Sequence, residues 1–139
     1  MTSLFADTFY WIALADSTDS AHQRALAVTR EMAPSPIVTT DEVLAEFLAF
    51  FSGATGPVRV RAATTVQRVL SNPAIRVIPQ SRGSFLSGLD LYAQRPDKGY
   101  SLTDCISMQT MRTEGLTQVL TNDRHFEQEG FRALFRESS

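Results

Sequence analysis

Short apolar runs alternate along the chain with longer segments in which apolar residues recur every three or four positions. The short runs predict five strands, which cover residues 3–6, 37–40, 75–78, 117–121 and, at a sheet edge, 131–135. The periodic segments predict helices, which cover residues 9–14, 21–32, 41–51, 58–70, 84–94 and 102–113. Strands that alternate with helices in this way are typical of an α/β fold with a parallel sheet covered on both faces.

The segment from Asp41 to Phe51 differs from the other predicted helices because it is apolar nearly all round. A helix with this pattern is usually buried, so we expect it to lie largely in the core. Asp41 and Glu42 stand where the helix dipole favours acidic residues. Thr39 and Glu42 also have the spacing of a capping box, so we assign Glu42 to the helix start.

Length and composition limit the class of protein. The 139 residues are enough for a single domain, 1–139, and 43% of them are hydrophobic. The net charge of −2 gives no sign of nucleic-acid binding, although an acidic site can mask basic residues elsewhere. Cys105 is the only cysteine, which fits a reducing compartment. No run has the length of a membrane span and no signal-peptide pattern is present, so we expect a cytoplasmic protein without a membrane partner.

Two carboxylates directly follow predicted strands. Asp7 comes after the first strand, and Asp123 comes after the strand at 117–121. Thr121 or Asn122 is expected to support Asp123 through a hydrogen bond. In an open α/β sheet, ligands bind outside the carboxyl ends of the strands, so the Asp7 and Asp123 side chains are both candidates for a site in that crevice. The alternative is that each residue caps the following helix or forms a turn, as Asp commonly does.

Glu46 interrupts the apolar face of the helix predicted over 41–51. It lies three residues after Val43 and four before Phe50, positions that share a helix face. A buried charge without a partner is costly, so Glu46 must face a counter-charge, a metal or a water-filled cleft. The alternative to a site residue is an internal ion pair with an arginine.

Asp104 has two interpretations. With Ser101, three residues earlier, it has the spacing of a capping box, although Glu or Gln is the usual partner. It also shares a helix face with Met108 and Met111, which places it at the mouth of the core. A cap and a metal ligand are therefore both open at this position.

Several carboxylates at one crevice raise one another's pKa and so require a cation. Oxygen ligands suit Mg²⁺ or Mn²⁺, and such sites commonly hydrolyse phosphodiester bonds. A zinc site is excluded by composition, because one cysteine and two histidines, His22 and His125, show no ligand spacing. Cys105 lies in an apolar helix without a histidine at a motif spacing, which disfavours a nucleophilic role. A P-loop and a dinucleotide-binding motif are absent.

Four segments carry a family resemblance, and their order, spacing and total length match along nearly the whole chain. They are Phe5-Ala6-Asp7-Thr8, residues 39–46 (TTDEVLAE), residues 101–105 (SLTDC) and residues 120–126 (LTNDRHF). Together they resemble the PIN-domain ribonucleases, specifically the VapC toxin type. The resemblance implies an α/β/α sandwich with a central parallel sheet and Mg²⁺- or Mn²⁺-dependent cleavage of RNA. It also implies an acidic quartet of metal ligands and catalytic residues, which by motif position are Asp7, Glu46, Asp104 and Asp123.

The resemblance further implies inhibition by a small antitoxin and, commonly, dimerisation. Large apolar side chains on predicted helices led us to expect a homodimer or an antitoxin complex: Trp11, Phe47, Phe50, Phe51 and Phe85. Basic residues are candidates for contacts with the RNA backbone, and each is equally a candidate for a solvated surface charge: Arg59, Arg61, Arg68, Arg82, Lys98, Arg112 and Arg124.

The leading hypothesis from the sequence is a metal-dependent endoribonuclease that acts as a toxin. The first alternative is a catalytically silent module that binds RNA or protein on the same fold. The second is a phosphatase that forms an aspartyl-phosphate. Asp7-Thr8-Phe9 lacks the second aspartate two positions on, which counts against that chemistry.

Overall fold

Five strands form the central sheet in the computed structural model, which describes residues 2–136. In chain order, β1 to β5 are Leu4–Ala6, Ile37–Thr40, Ile75–Ile78, Gln118–Leu120 and Arg132–Ala133. Their spatial order is β3-β2-β1-β4-β5, and every neighbouring pair is parallel. The first strand therefore lies at the centre of the sheet, and this confirms the predicted parallel α/β architecture.

Helices connect the strands. In chain order, α1 to α7 are Thr8–Ala15, His22–Met32, Asp41–Phe50, Gly56–Ser71, Arg82–Gln94, Leu102–Glu114 and Arg124–Gln128. Six of them were predicted to within two residues at each end. The seventh, α7, was not predicted, and it spans five residues after β4. In the described range, no helix is both long and apolar enough to cross a lipid bilayer.

Two expectations about α3 are wrong. Only Val43, Leu44 and Phe47 of this helix are buried, because α3 packs along one face only, and Phe50 is 58% exposed. The helix is also capped by Thr40, whose side-chain oxygen accepts a hydrogen bond from the backbone N–H of Val43.

Thr39 and Glu42 form no capping box. The Thr39 hydroxyl instead donates to the Ala6 carbonyl at 2.9 Å, which ties β2 to the end of β1. The predicted strand over 131–135 is shorter than expected, because Arg132–Ala133 pairs with β4 and Leu134–Arg136 then forms a 3₁₀ turn.

Helices α5 and α6 are packed closely together. At Gly88 of α5, an added Cβ would overlap the Ile106 side chain and press on its backbone in α6. Only glycine allows this approach. Gly115 has φ 71° and ends α6 in the left-handed conformation that glycine adopts readily. The start of α6, with Asp104, is held against α5 by the close contact at Gly88.

Candidate active site at the carboxyl ends of the strands

Asp7 directly follows the central strand and is 7% exposed. It stands at the N-cap position of α1, but its side chain makes no cap hydrogen bond there, so the cap alternative does not account for it. Burial raises the pKa of Asp7 to about 7. Hydrogen bonds from the Thr121 hydroxyl, at 2.9 Å, and from the Thr8 backbone oppose this rise, whereas the charges of Asp104 and Glu46 add to it.

Glu46 lies beside Asp7, although not for the reason that its position in the sequence suggested. Its side chain is on the exposed side of α3, where its Oε1 accepts a hydrogen bond from the Thr8 hydroxyl. Among residues 2–136, no Arg or Lys forms an ion pair with it, so the predicted alternative of an internal pair is wrong for that range. Its charge raises the pKa of both Asp7 and Asp104.

Asp104 forms the capping box that the sequence left open, and its carboxylate also lies close to Asp123 and His125. The Ser101 hydroxyl accepts a hydrogen bond from the Asp104 backbone N–H at 3.0 Å, and the Asp104 carboxylate accepts one from the Ser101 N–H at 3.1 Å. This capping box fixes the carboxylate at the start of α6. Burial raises the pKa of Asp104, and the charges of Asp123 and Glu46 contribute to the rise.

Asp123 caps α7 by accepting a hydrogen bond from the His125 backbone N–H at 2.9 Å. Its own N–H donates to the Thr121 hydroxyl oxygen at 3.2 Å, and that hydroxyl donates to Asp7. Thr121, fully buried at the end of β4, therefore connects the two carboxylates that follow β1 and β4. This confirms the expected support of Asp123 by Thr121.

His125 is the site residue that sequence reasoning missed. Its Nδ1 atom lies 3.4 Å from Asp123 Oδ1 and 3.7 Å from Asp104 Oδ2. This nitrogen is buried and has no hydrogen-bond partner in the part of the chain that the structure describes. One ligand atom from each of Asp104, Asp123 and His125 lies within 4.8 Å of the others. The signal available in the sequence was the spacing of two residues between Asp123 and His125.

Cys105 is next to Asp104 but takes no part in this arrangement. The residue is fully buried in α6, and burial raises the pKa of its thiol to about 11, with the charges of Asp104 and Glu129 adding to the shift. A thiol in this state is a poor nucleophile at neutral pH, which agrees with the sequence-based exclusion.

The donor set fits a hard divalent cation. Four carboxylates converge, and the pKa of two of them is raised partly by the charge of the others. Clustered carboxylate oxygens suit Mg²⁺ and Mn²⁺, and a single imidazole nitrogen at the edge leaves the set rich in oxygen. A cation there would relieve the repulsion that the raised pKa values record.

Comparison with known proteins identifies the family. The PIN domain pattern matches residues 4–131, a range that contains all four carboxylates and His125. The chain belongs to the PIN domain family. PIN-domain nucleases use divalent metal ions, in agreement with the acidic cluster found here.

The similarity to known relatives extends over almost the whole chain. The 23S rRNA-specific endonuclease VapC20 of Mycobacterium tuberculosis is 24% identical over 128 residues, which cover 92% of this chain and 95% of VapC20. Its crystal structure, described as that of a Sarcin-Ricin loop cleaving toxin, superposes with a TM-score of 0.82 at 23% identity and the same coverage.

Two further solved structures share the fold at 15% identity. FitAcB from Neisseria gonorrhoeae has a TM-score of 0.67 and covers 94% of this chain and 95% of its own. VapBC2 from Rickettsia felis, solved bound to a DNA fragment from their promoter, has a TM-score of 0.66 and covers 95% and 97%. These likenesses confirm the PIN-like α/β/α fold that the sequence predicted.

Proposed function

We propose that this protein is a metal-dependent endoribonuclease and that Asp7, Glu46, Asp104 and Asp123 are its metal ligands and catalytic residues. The observation that carries the proposal is the convergence of these four carboxylates at the carboxyl ends of β1 and β4 in a PIN-domain chain. The likeness to VapC20, which is named as an rRNA endonuclease, supports RNA as the substrate.

The residues of the chain have distinct tasks in this mechanism. Thr121 and Thr8 orient the carboxylates of Asp7 and Glu46, and the capping box with Ser101 orients Asp104. When bound, Mg²⁺ or Mn²⁺ supplies Lewis acidity and an activated water for attack on the phosphodiester. The four carboxylates would hold the cation in this crevice.

Basic side chains near this face are proposed to contact the RNA backbone, and Arg124 is adjacent to Asp123 in sequence. Arg112, a candidate from the sequence, is not proposed as an RNA contact. Its guanidinium is held by the Glu129 carboxylate at 2.7 Å and lies over the Phe131 ring. Contacts between the remaining basic side chains and phosphates would make the affinity for RNA fall as salt rises.

The test compares RNA cleavage by the wild type, Asp7→Asn and Asp90→Asn, each with Mg²⁺, with Mn²⁺ and with a chelator. Asp90 is an exposed acid on α5 and serves as the matched control. We expect Asp7→Asn to lose activity by at least about 10³-fold and Asp90→Asn to retain it. Cleavage by Asp7→Asn at the wild-type rate would overturn the proposal, and RNA binding without metal-dependent cleavage by the wild type would favour the silent binding module.

We also propose that the protein is a toxin with a small antitoxin partner and that it forms a homodimer. The support is the exposed apolar surface on α3, α4 and α5, together with the likeness to VapBC2. Phe50 is 58% exposed and Phe85 is 39% exposed, so both can contact a partner. Trp11 and Phe47 are buried in the core, so the expectation that they contact a partner is dropped.

Light scattering of the purified protein at micromolar concentration tests the homodimer, and co-purification with the product of the neighbouring reading frame tests the antitoxin. A monomer with no such partner would contradict both assignments. Neither result would bear on the nuclease proposal.

A further inference from the structure

A second group of charged residues lies directly behind the acidic site. The Glu129 carboxylate, with 5% of its side chain exposed, accepts hydrogen bonds from Arg95 Nε at 2.9 Å and from Arg112 Nη2 at 2.7 Å. The Tyr100 hydroxyl donates a further bond to Glu129 Oε2 at 2.9 Å. Glu129 therefore holds together the loop before α6, the end of α6 and the turn after α7.

Tyr100 joins this group to the site. Its ring is buried and lies against the His125 imidazole, with the ring centroids 5.1 Å apart and the planes inclined by 59°. It also immediately precedes Ser101, which forms the capping box with Asp104. The same residue thus contacts one side of the acidic site through its ring and the other through its backbone.

The His125 imidazole needs such a contact to keep its orientation. Its Nδ1 atom faces Asp104 and Asp123 at 3.7 and 3.4 Å, which are too long for strong hydrogen bonds. No other group within residues 2–136 forms a hydrogen bond with this nitrogen. Packing against the Tyr100 ring therefore helps to hold the plane of the imidazole between the two carboxylates.

We propose that Tyr100 is a positioning residue of the acidic site. Its ring, packed against the imidazole, holds His125 against Asp104 and Asp123 and thereby sets the separation of these two carboxylates. When a group that contacts and orients the ligands of a metal site is removed, the affinity for the metal typically falls by about 10- to 100-fold. This inference rests on the proposed function, because it assumes that the carboxylates bind a divalent cation.

The experiment is a double-mutant cycle that measures Mn²⁺ affinity by calorimetric titration of the folded protein. We expect Tyr100→Leu to weaken Mn²⁺ binding by about tenfold, because the ring that supports His125 is lost. Tyr100→Phe keeps the ring and should stay within about threefold of the wild type. In a His125→Ala background, Tyr100→Leu should cause no further loss, since Tyr100 acts through His125.

Arg95→Gln is the matched control for stability. It removes a donor from Glu129 but leaves the contact between Tyr100 and His125 in place. We expect Arg95→Gln and Tyr100→Phe both to lower the melting temperature while Mn²⁺ affinity is retained. If Arg95→Gln weakens Mn²⁺ binding as much as Tyr100→Leu does, the effect is one of general stability and the inference is wrong.

Two other outcomes overturn the inference: unchanged Mn²⁺ affinity in Tyr100→Leu, or an undiminished effect of Tyr100→Leu in the His125→Ala background. Asp7→Asn separates this failure from failure of the proposed function. If Asp7→Asn weakens Mn²⁺ binding and Tyr100→Leu does not, only the positioning role is lost. If neither variant changes Mn²⁺ binding or RNA cleavage, the proposed function fails as well.

Discussion

Asp7 and Glu129 are both buried carboxylates, and their surroundings affect them in opposite ways. Asp7 receives hydrogen bonds from a hydroxyl and a backbone N–H and faces other acids, and its pKa is raised to about 7. For Glu129, burial also favours a higher pKa, but hydrogen bonds from Arg95, Arg112 and Tyr100 outweigh it and lower the pKa to about 2. Asp7 is the more deeply buried of the two and its donors are uncharged, whereas two guanidinium groups act on Glu129.

The comparison shows how a buried acid serves structure in one place and chemistry in another. The charge of Glu129 is balanced by two guanidinium groups of the same chain, so it needs nothing from solvent. The charges of Asp7 and its neighbours are not balanced by an ion pair with any Arg or Lys among residues 2–136. The second arrangement costs stability unless a cation enters from outside, and that requirement makes it suited to binding a metal.

The largest expected effect is that of Asp7→Asn on stability without metal. Because the folded-state pKa of Asp7 is raised above that of the unfolded chain, the ionisation of Asp7 costs no stability below about pH 4, and its cost grows as the pH rises to about 7. At pH 8, Asp7→Asn should therefore gain up to about 4 kcal/mol in free energy of unfolding. At pH 4 the gain should vanish. Urea unfolding at both values, with Asp90→Asn as control, measures it.

A lower stability for Asp7→Asn at pH 8 would show that the carboxylate has a structural partner, as Glu129 has. The contrast between the two clusters would then be lost.

The next effect is stabilisation by metal. A cation that binds only the folded form at 100 times its dissociation constant adds about 2.7 kcal/mol. Mg²⁺ or Mn²⁺ should therefore raise the melting temperature of the wild type at pH 8, and should raise that of Glu129→Gln by a similar amount. Asp7→Asn should respond much less. Calorimetric melting with and without metal tests this, and an equal response of all three proteins would place the binding site elsewhere.

Glu129→Gln should destabilise the protein by about 2 kcal/mol at neutral pH, because two guanidinium groups lose their counter-charge. Arg95 and Arg112 are partly exposed, so the loss should remain below that of a fully buried pair. The stabilising effect of Glu129 is present above about pH 4.5 and is lost as the pH falls through about 2. Urea unfolding between pH 7 and pH 2 should show the two proteins converging at the acidic end, and a constant difference would contradict the prediction.

The smallest effect is expected at an exposed ion pair. Arg76 on β3 and Glu114 at the end of α6 form a salt bridge at the surface. Solvent screening and side-chain entropy limit such pairs to about 0–1 kcal/mol. Arg76→Ala should therefore change the free energy of unfolding by less than Glu129→Gln does. A loss as large as that of Glu129→Gln would show that burial is not what separates the two ion pairs.

The sequence was sufficient for most of the fold because the informative patterns are local. Each strand is a short apolar run, and each long helix has its own periodicity and caps. Helix α3 was misjudged because an apolar surface does not reveal that the helix has a neighbour on only one side. Helix α7 was missed because five residues are too few to show a period.

Part of the candidate site was predictable for the same reason. Asp7, Asp104 and Asp123 lie where a strand ends or a helix begins, and a parallel sheet brings those positions together. Glu46 lies within α3, and its exposed position there did not follow from the apolar pattern. The role of Glu129 was not predictable, because Arg95, Arg112 and Glu129 are far apart along the chain and each has the pattern of a solvated charge. Thr121 was expected to support Asp123, but its bond to Asp7 links residues 114 positions apart and depends on β4 lying beside β1.

The strand order has a consequence for synthesis of the protein. The central strand and Asp7 are the first parts of the site to leave the ribosome. They remain without β4, Thr121 and Asp123 until those residues have been translated. The acidic cluster therefore assembles last, when β4 closes against β1. A nascent chain therefore lacks the complete acidic cluster until β4 has been translated.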